Sequence, residues 1–188
     1  HMVGEALAAC PDRVSALFVD EARLEAYAAL TALVPQTACY AVPSHVLAAI
    51  SQVKTPQGVA AVCAMPPSLA PEEMGNRLIL LENVQDPGNV GTVLRTLDAA
   101  GFDGCILTPG CADPFGPKAL RATMGSVFRV PVCSVGNTVE TVQALNARGY
   151  ATLAAALDGE NFYRRAPLPA RLCVLIGNEG AGLTKQAQ

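Results

Sequence analysis

An asparagine and an arginine lie where an apolar strand passes into a helix, in the stretch "LLENVQDPGNVGTVLRTLDAAGF" at residues 80–102. The apolar run ends at Leu81, polar and turn-forming residues follow, and apolar residues then return at helical spacing. Ligands bind at the carboxyl ends of strands in open α/β sheets, so Asn89 and Arg95 are candidates for chemistry on a bound ligand. Structural roles explain them equally well: Asn89 as a helix cap and Arg95 as the ion-pair partner of Asp98.

Glycines surround a carboxylate at a second junction of this kind, "LIGNEGAGLTK" at residues 175–185. Gly177, Gly180 and Gly182 would let backbone N–H groups approach a ligand closely. A helix is predicted to follow, and helix N-termini favour anions. The stretch matches neither the dinucleotide-binding glycine pattern nor the Walker pattern. A ligand-binding loop is favoured over the alternative that Glu179 only interacts with the positive end of the next helix.

Basic residues occur in two stretches that suit contacts with RNA. The first, residues 115–130, places two of its cations on one helical face. The second, "NFYRRAP" at residues 161–167, combines aromatic rings with arginines, as base stacking and phosphate contact require. Solvated surface charge is the alternative explanation for both. The candidate RNA-binding residues are Lys118, Arg121, Arg129, Arg164 and Arg165.

Composition limits the classes of function. The 188-residue chain is 51% hydrophobic, enough for a buried core, and its net charge of −3 means that any nucleic-acid contact must come from a local basic patch. Seven cysteines without a C-x-x-C spacing, and only two histidines, predict reduced core thiols and no metal site. The sequence contains no uninterrupted apolar stretch of about 18 residues or more, and no basic-then-apolar leader precedes the first helix. We therefore expect a cytoplasmic protein that makes no membrane contact.

Strands and helices alternate on both sides of a Pro-rich stretch. Residues 1–64 are predicted to form a small N-terminal α/β domain, residues 65–76 a linker, and residues 77–188 a second α/β domain. The alternation predicts a mostly parallel sheet covered by helices on both faces.

Local signals predict particular helix boundaries. Residues 21–34 are predicted to form one helix. Ser44 is predicted to cap the helix that follows it, and Asn137, with Glu140 three residues later, is predicted to cap another.

Three motifs, "LLENVQDPGNVGTVLRTLDAAG", "KALRATMGSVFRVPV" and "LCVLIGNEGAGL", occur in the order found in a known family. Together they resemble the SpoU/TrmH-type RNA ribose 2′-O-methyltransferases of the SPOUT superfamily. "KTPQGVAAV" resembles the end of the substrate-binding domain that many of these enzymes carry. The resemblance covers nearly the whole chain.

The resemblance implies a small N-terminal RNA substrate-binding domain and a parallel-sheet SPOUT domain with a C-terminal trefoil knot. It implies S-adenosylmethionine as the cofactor, RNA as the substrate with ribosomal RNA favoured over transfer RNA, and an active site at a homodimer interface. Motif matching assigns Asn89, Arg95 and Glu179 as the active-site residues. The implied cofactor-binding residues are Ala155, Leu157, Gly177 and Gly180.

The residue types suit this chemistry. Guanidinium stays protonated, so Arg95 is expected to hold the RNA phosphate and polarise the 2′-hydroxyl rather than act as the base. Asn89 is expected to orient Arg95 or the ribose, and Glu179 to order its loop.

The family's motif region continues beyond "GNEGAGL", so we expect the chain, which ends at Gln188, to lack part of the knot, the cofactor pocket and the dimer interface. The alternative function is a non-catalytic RNA-binding or adaptor protein on the same scaffold. A nucleotide-binding protein of another family would need a phosphate motif that the sequence lacks.

Overall fold

The computed structural model describes residues 1–51, 53, 55–156, 159 and 167–187, with only the backbone for Thr37. The chain divides into two units, residues 1–67 and residues 68–188, each with its own sheet.

The first unit contains a three-stranded mixed sheet. Its elements are α1 (Met2–Ala9), β1 (Val14–Asp20), α2 (Ala28–Thr31), β2 (Cys39–Val42), α3 (Ser44–Ile50) and β3 (Val59–Cys63). Strand β1 lies in the centre and pairs in parallel with β2 and antiparallel with β3. Leu17 and Val19 of β1 are fully buried, and α3 packs against this strand through the buried Leu47.

Two predictions in this unit are wrong. Residues 21–34 form short 3₁₀ turns and the four-residue α2 instead of one helix. Leu24 and Leu33 are exposed there, so the segment lacks the buried apolar face that stabilises most protein helices. Ser44 is the first residue of α3 and not its cap, because its hydroxyl donates a hydrogen bond to Asp20 Oδ2 at 2.7 Å.

The described residues of the second unit form five strands and three α-helices. Its elements are β4 (Arg77–Leu81), α4 (Pro87–Ala100), β5 (Gly104–Leu107), α5 (Pro117–Thr123), β6 (Val132–Ser134), α6 (Thr138–Ala147), β7 (Ala151–Ala154) and β8 (Leu172–Ile176). The predicted cap of α6 is confirmed, because the Asn137 side chain accepts a hydrogen bond from the Glu140 backbone N–H at 3.1 Å.

The five strands are all parallel, in the order β6-β5-β4-β8-β7. The chain leaves the central β4 for β5 and β6 on one side, crosses to β7 at the opposite edge, and returns to β8 beside β4. Strand order therefore reverses between β4 and β8. The loops that follow these two strands meet at their carboxyl ends, where such sheets bind ligands.

Alternate residues of β4 enter two separate apolar clusters, one on each face of the sheet. Leu78 and Leu80 are buried in one cluster, while Ile79 and Leu81 are buried in the other, which also contains residues of α4. This burial on both faces explains the continuous apolar run of the strand.

Helix α4 packs closely against α5 near its start. A Cβ atom at Gly91 would lie 2.5 Å from the Ala122 Cβ and 2.6 Å from the Ala119 carbonyl oxygen of α5. Only glycine allows this approach, so α4 and α5 pack closely at this point.

The mixed α/β architecture with a parallel sheet confirms the predicted fold class. The trefoil knot stays a prediction, since the described residues do not show it. No helix among the described residues is long and apolar enough to cross a membrane.

Candidate active site

Helix α4 is capped by Asp86 and not by Asn89. Asp86 Oδ1 accepts hydrogen bonds from the backbone N–H groups of Gly88 at 2.5 Å and Asn89 at 3.1 Å. Pro87 occupies the first helical position, where its missing N–H has no cost. Asn89 is therefore the third residue of the helix, and the capping role considered for its side chain is wrong. That side chain remains available for other contacts.

The Glu179 carboxylate joins the loop after β8 to the start of α4. Its Oε1 accepts hydrogen bonds from Asn89 Nδ2 at 3.0 Å and from the Asp86 N–H at 3.1 Å. Its Oε2 accepts hydrogen bonds from the Gln85 N–H and from Asn178 Nδ2, both at 3.3 Å. Residues 90 to 94 positions apart in the sequence thus meet where strand order reverses.

These hydrogen bonds keep Glu179 ionised. The hydrogen bond from Asn89, followed by backbone hydrogen bonds, lowers the pKa of Glu179 from 4.5 to about 2. Glu179 therefore remains a carboxylate near neutral pH and acts as a hydrogen-bond acceptor that orders both loops.

Asn178 shapes the glycine loop, and the sequence analysis did not single it out. Its Oδ1 accepts hydrogen bonds from the N–H groups of Gly180 and Ala181, both at 3.0 Å. Its Nδ2 donates to the Asn83 carbonyl oxygen at 2.8 Å. An Asn whose side chain binds the backbone two and three residues later is a common turn signal. The sequence carries this signal directly before Glu179.

The two predicted cofactor-binding glycines have different surroundings. A Cβ atom at Gly177 would lie 2.1 Å from the Gly182 carbonyl carbon and 2.2 Å from the Leu183 nitrogen. Position 177 therefore requires glycine, because the backbone of the same loop packs directly against it. At Gly180 the nearest atom would be Asn178 Oδ1, at 3.7 Å, so the space beside this residue is open.

A buried carboxylate holds the far end of the same loop. Glu82, 7% exposed, follows β4 and accepts hydrogen bonds from the Thr184 N–H at 2.7 Å and the Thr184 hydroxyl at 3.1 Å. The helix predicted after the glycines is wrong for the described residues, because residues 185–187 form a turn. Sequence reasoning missed Glu82 because its partner lies 102 residues away.

Arg95 lies apart from the bond between Asn89 and Glu179. It follows Asn89 by six residues on α4, which corresponds to about 9 Å along the axis and about 120° around it. Arg95 is exposed and forms no hydrogen bond or ion pair with a residue that the structure describes. Its predicted pairing with Asp98 is wrong. The Asp98 carboxylate binds Arg129 and Ser126 instead.

The candidate RNA-binding residues differ in their availability. Lys118 Nζ lies 2.9 Å from Asp86 Oδ2, and this hydrogen bond is the main cause of a lowered Asp86 pKa. Arg129 is paired with Asp98. Arg121 is exposed and, like Arg95, has no partner within the described part of the chain. Arg164 and Arg165 lie outside the described residues.

The loops after β7 and β8 leave open space beside parts of their backbone. Ala155 directly follows β7, is exposed, and donates its N–H to the Leu175 carbonyl oxygen at 2.9 Å, which holds it beside β8. No atom lies within 4 Å of the position that a Cβ would take at Gly182. Leu157 lies outside the described residues. The space at these positions can take a ligand close to the backbone, although the N–H groups of Ala155 and Gly182 are already donated within the chain.

A polar groove of about 520 Å³ lies at the carboxyl ends of β4 to β6. Glu82, Thr108, Asn137 and Thr184 are among the residues that line it. Its volume is in the range typical of small-molecule sites. The described residues contain no cluster of three or more His, Cys, Asp or Glu side chains that could hold a metal ion.

Two family models match the chain. The model of the SpoU rRNA Methylase family matches residues 76–188, and the model of the RNA 2′-O ribose methyltransferase substrate-binding domain matches residues 1–69. Together they cover nearly all of the sequence.

Curated relatives share this similarity over different lengths. The chain is 37% identical to the 23S rRNA (guanosine(2553)-2′-O)-methyltransferase RlmP of Bacillus subtilis, over 97% of the chain and 71% of that protein. It is 32% identical to an uncharacterised tRNA/rRNA methyltransferase of Synechocystis, over 77% of the chain and 53% of that protein. The chain thus spans between about half and three quarters of the length of these relatives.

Solved structures have the same architecture. The SpoU methyltransferase AviRb from Streptomyces viridochromogenes, solved in complex with AdoMet, matches with a TM-score of 0.81 and 25% identity, over 98% of the chain and 75% of AviRb. An AdoMet-bound rRNA methyltransferase from Sinorhizobium meliloti matches with a TM-score of 0.75 and 33% identity, over 97% of the chain and 70% of that protein.

Proposed function

We propose that the chain, which belongs to the SpoU rRNA methylase family, transfers a methyl group from S-adenosylmethionine to a ribose 2′-hydroxyl of structured RNA. Ribosomal RNA is the proposed substrate, because RlmP, which is similar over almost the whole chain, is named for 23S rRNA. The observation that carries the proposal is the hydrogen bond between Asn89 and Glu179, which joins the first and last family motifs where strand order reverses.

Binding of the cofactor is proposed at the loops after β7 and β8. The proposed contacts are Ala155, Leu157, Gly177 and Gly180. AviRb and the Sinorhizobium enzyme were solved with AdoMet bound. The open space beside Gly180 and the exposure of Ala155 support the same site here. The cofactor supplies an electrophilic methyl group on a sulfonium. The chain must therefore hold the loop so that the ribose oxygen and this methyl group are in line.

Arg95 is proposed to bind the RNA phosphate and to polarise the 2′-hydroxyl. Its guanidinium remains protonated, so a phosphate oxygen or water accepts the proton. An exposed arginine without an ion-pair partner among the described residues can bind a phosphate without first losing a competing carboxylate.

The role of Asn89 is to orient Glu179 rather than Arg95. Its amide donates to the Glu179 carboxylate, and Arg95 extends from another side of α4. We propose a homodimer, in which a second copy can place its Arg95 at the cofactor-binding loop, because Arg95 lies about 9 Å along α4 from Asn89, the residue that contacts Glu179 of this loop. The knot and a cytoplasmic location are proposed from the family alone.

Methyl transfer to RNA tests the proposal directly. Transfer of a labelled methyl group from S-adenosylmethionine to 23S rRNA is measured alongside calorimetric cofactor binding. Arg95→Ala is expected to lower kcat by about 100-fold or more, the effect of removing a group that stabilises developing charge, with cofactor affinity within about two-fold of wild type.

Arg148→Ala is the matched control. Arg148 is an exposed arginine at the end of α6, where its Nη2 pairs with Glu72 at 2.7 Å, away from the carboxyl ends of the strands. The control is expected to retain methyl transfer. Equal activity of Arg95→Ala and Arg148→Ala would contradict the role of Arg95. Absence of cofactor binding by the wild-type protein at its full natural length would favour the adaptor function.

A further inference from the structure

Asp98 on α4 is the centre of a small polar cluster. One of its oxygens, Oδ2, accepts hydrogen bonds from Ser126 Oγ at 2.9 Å, from Arg129 Nε at 2.9 Å and from Arg129 Nη2 at 2.7 Å. The guanidinium thus directs two N–H groups at one carboxylate oxygen. The Arg129 hydrogen bond is also the main cause of the lowered Asp98 pKa, so the carboxylate stays charged.

The same carboxylate is the nearest competitor for Arg95 on its own helix. Residues three apart on a helix surface are neighbours, and an Asp and an Arg at this spacing attract each other. Arg95 nevertheless makes no ion pair with any described residue. Arg129 and Ser126 already bind the Asp98 carboxylate, which accounts for the missing ion pair.

We infer that Arg129 is a positioning residue, which neutralises Asp98 and thereby leaves the Arg95 guanidinium available for an RNA phosphate. The inference rests on the proposed function of Arg95. It replaces the expectation that Arg129 itself contacts RNA. Arginine suits this role because its planar guanidinium directs several N–H groups at a carboxylate, and a lysine has no such fork.

Removal of Arg129 should therefore impair methyl transfer through Asp98. In Arg129→Ala the Asp98 carboxylate keeps only its hydrogen bond from Ser126 and can pair with Arg95. We therefore expect kcat/KM for RNA to fall about two- to three-fold at low salt, as the strength of a surface pair at this spacing implies. The loss should shrink as salt screens the pair. Arg129→Lys should retain part of the wild-type activity.

The double variant Asp98→Ala, Arg129→Ala separates this mechanism from a structural role. It should recover the wild-type kcat/KM although its melting temperature remains as low as that of Arg129→Ala. Recovery supports the inference, because only the removal of a competing carboxylate restores Arg95. If the double variant stays as impaired as Arg129→Ala, Arg129 acts through the fold or touches RNA itself, and the inference is overturned.

A second measurement does not depend on activity. The pKa of Asp98 is followed by carboxyl ¹³C NMR in Arg129→Ala and in Arg129→Ala, Arg95→Ala. If Arg95 pairs with the released carboxylate, the pKa should be higher in the second variant by about 0.3–0.5 unit, the shift that corresponds to a two- to three-fold competition for Arg95. Identical pKa values in the two variants would overturn the inference. A protein that shows this shift but transfers no methyl group would contradict the proposed function and leave the inferred pairing of Arg95 with Asp98 intact.

Discussion

Gly177 is the position where one methyl group should have the largest effect on the candidate site. In Gly177→Ala the new Cβ would lie 2.1, 2.2 and 2.4 Å from the carbonyl carbon of Gly182, the nitrogen of Leu183 and the carbonyl oxygen of Gly182. All three atoms belong to the backbone, so no side chain can rotate to relieve the contact. The segment that follows the glycines must move.

The cost follows from what this movement disturbs. Overpacking a tightly packed site costs about 1–3 kcal/mol, and the upper end applies where the neighbours are backbone atoms. Movement of Leu183 also strains the next residue, Thr184, whose N–H and hydroxyl bind the buried Glu82. We therefore expect Gly177→Ala to lower the free energy of unfolding by about 3 kcal/mol and to weaken S-adenosylmethionine binding at least ten-fold.

Gly180→Ala is the matched control. Its Cβ would approach nothing more closely than Asn178 Oδ1 at 3.7 Å, and Gly180 is not among the glycines with positive φ. The substitution should be neutral or raise stability by up to about 1 kcal/mol, because alanine restricts the unfolded chain.

Urea unfolding gives the stability of the three proteins, and calorimetry gives their cofactor affinity. The reasoning is refuted if Gly177→Ala is as stable as wild type, or if both substitutions destabilise the protein equally. The latter result would mean that both glycines have the same role, as the sequence alone suggests.

Three further predictions concern packing, pH dependence and the buried carboxylate. Gly91→Ala should destabilise the protein by about 1–3 kcal/mol in urea unfolding, because the new Cβ would lie 2.5 Å from that of Ala122. This cost should exceed the gain from the better helix propensity of alanine. Unchanged stability would contradict the close packing of α4 on α5. Glu179 has a pKa of about 2 in the folded protein, below its unfolded value, so its contribution to stability is complete above about pH 5 and is lost as pH falls towards 2. Glu179→Gln should remove that part of the acid dependence of unfolding, and an unaltered profile would show that the carboxylate is not held as described. Glu82→Gln places an amide N–H group against the donors of Thr184 and should lower the free energy of unfolding by about 1–3 kcal/mol in the same assay. A neutral effect would mean that other contacts hold the loop.

The fold was largely readable from the sequence because its signals are local. Continuous apolar runs such as "RLILL" predict strands buried on both faces, and β4 has alternate residues in two separate clusters. The cap at Asn137 depends on contacts within four residues, and the structure confirms it. The helix predicted for residues 21–34 failed because helices of this kind depend on burial of one face, and burial is decided by the rest of the chain.

The start of α4 could have been assigned more accurately from the sequence. Asp86 and Pro87 form a cap followed by proline at the first helical position, which is a local signal. Recognising it would have placed Asn89 inside the helix, with its side chain available for Glu179. The signal for the capping role was thus present in the sequence at Asp86, whereas the structural interpretation had given that role to Asn89.

The sequence by itself determined which residues are candidates for the site: Asn89, Arg95 and Glu179 lie in motifs whose types and order resemble those of the methyltransferase family. Tertiary structure alone decided which of them meet. The hydrogen bond from Asn89 to Glu179 spans 90 residues and exists because β8 returns to lie beside β4. Whether Arg95 pairs with Asp98 depends in the same way on Arg129, which lies 31 residues after Asp98. Strand order and helix packing set these distances, and neither is encoded in local periodicity.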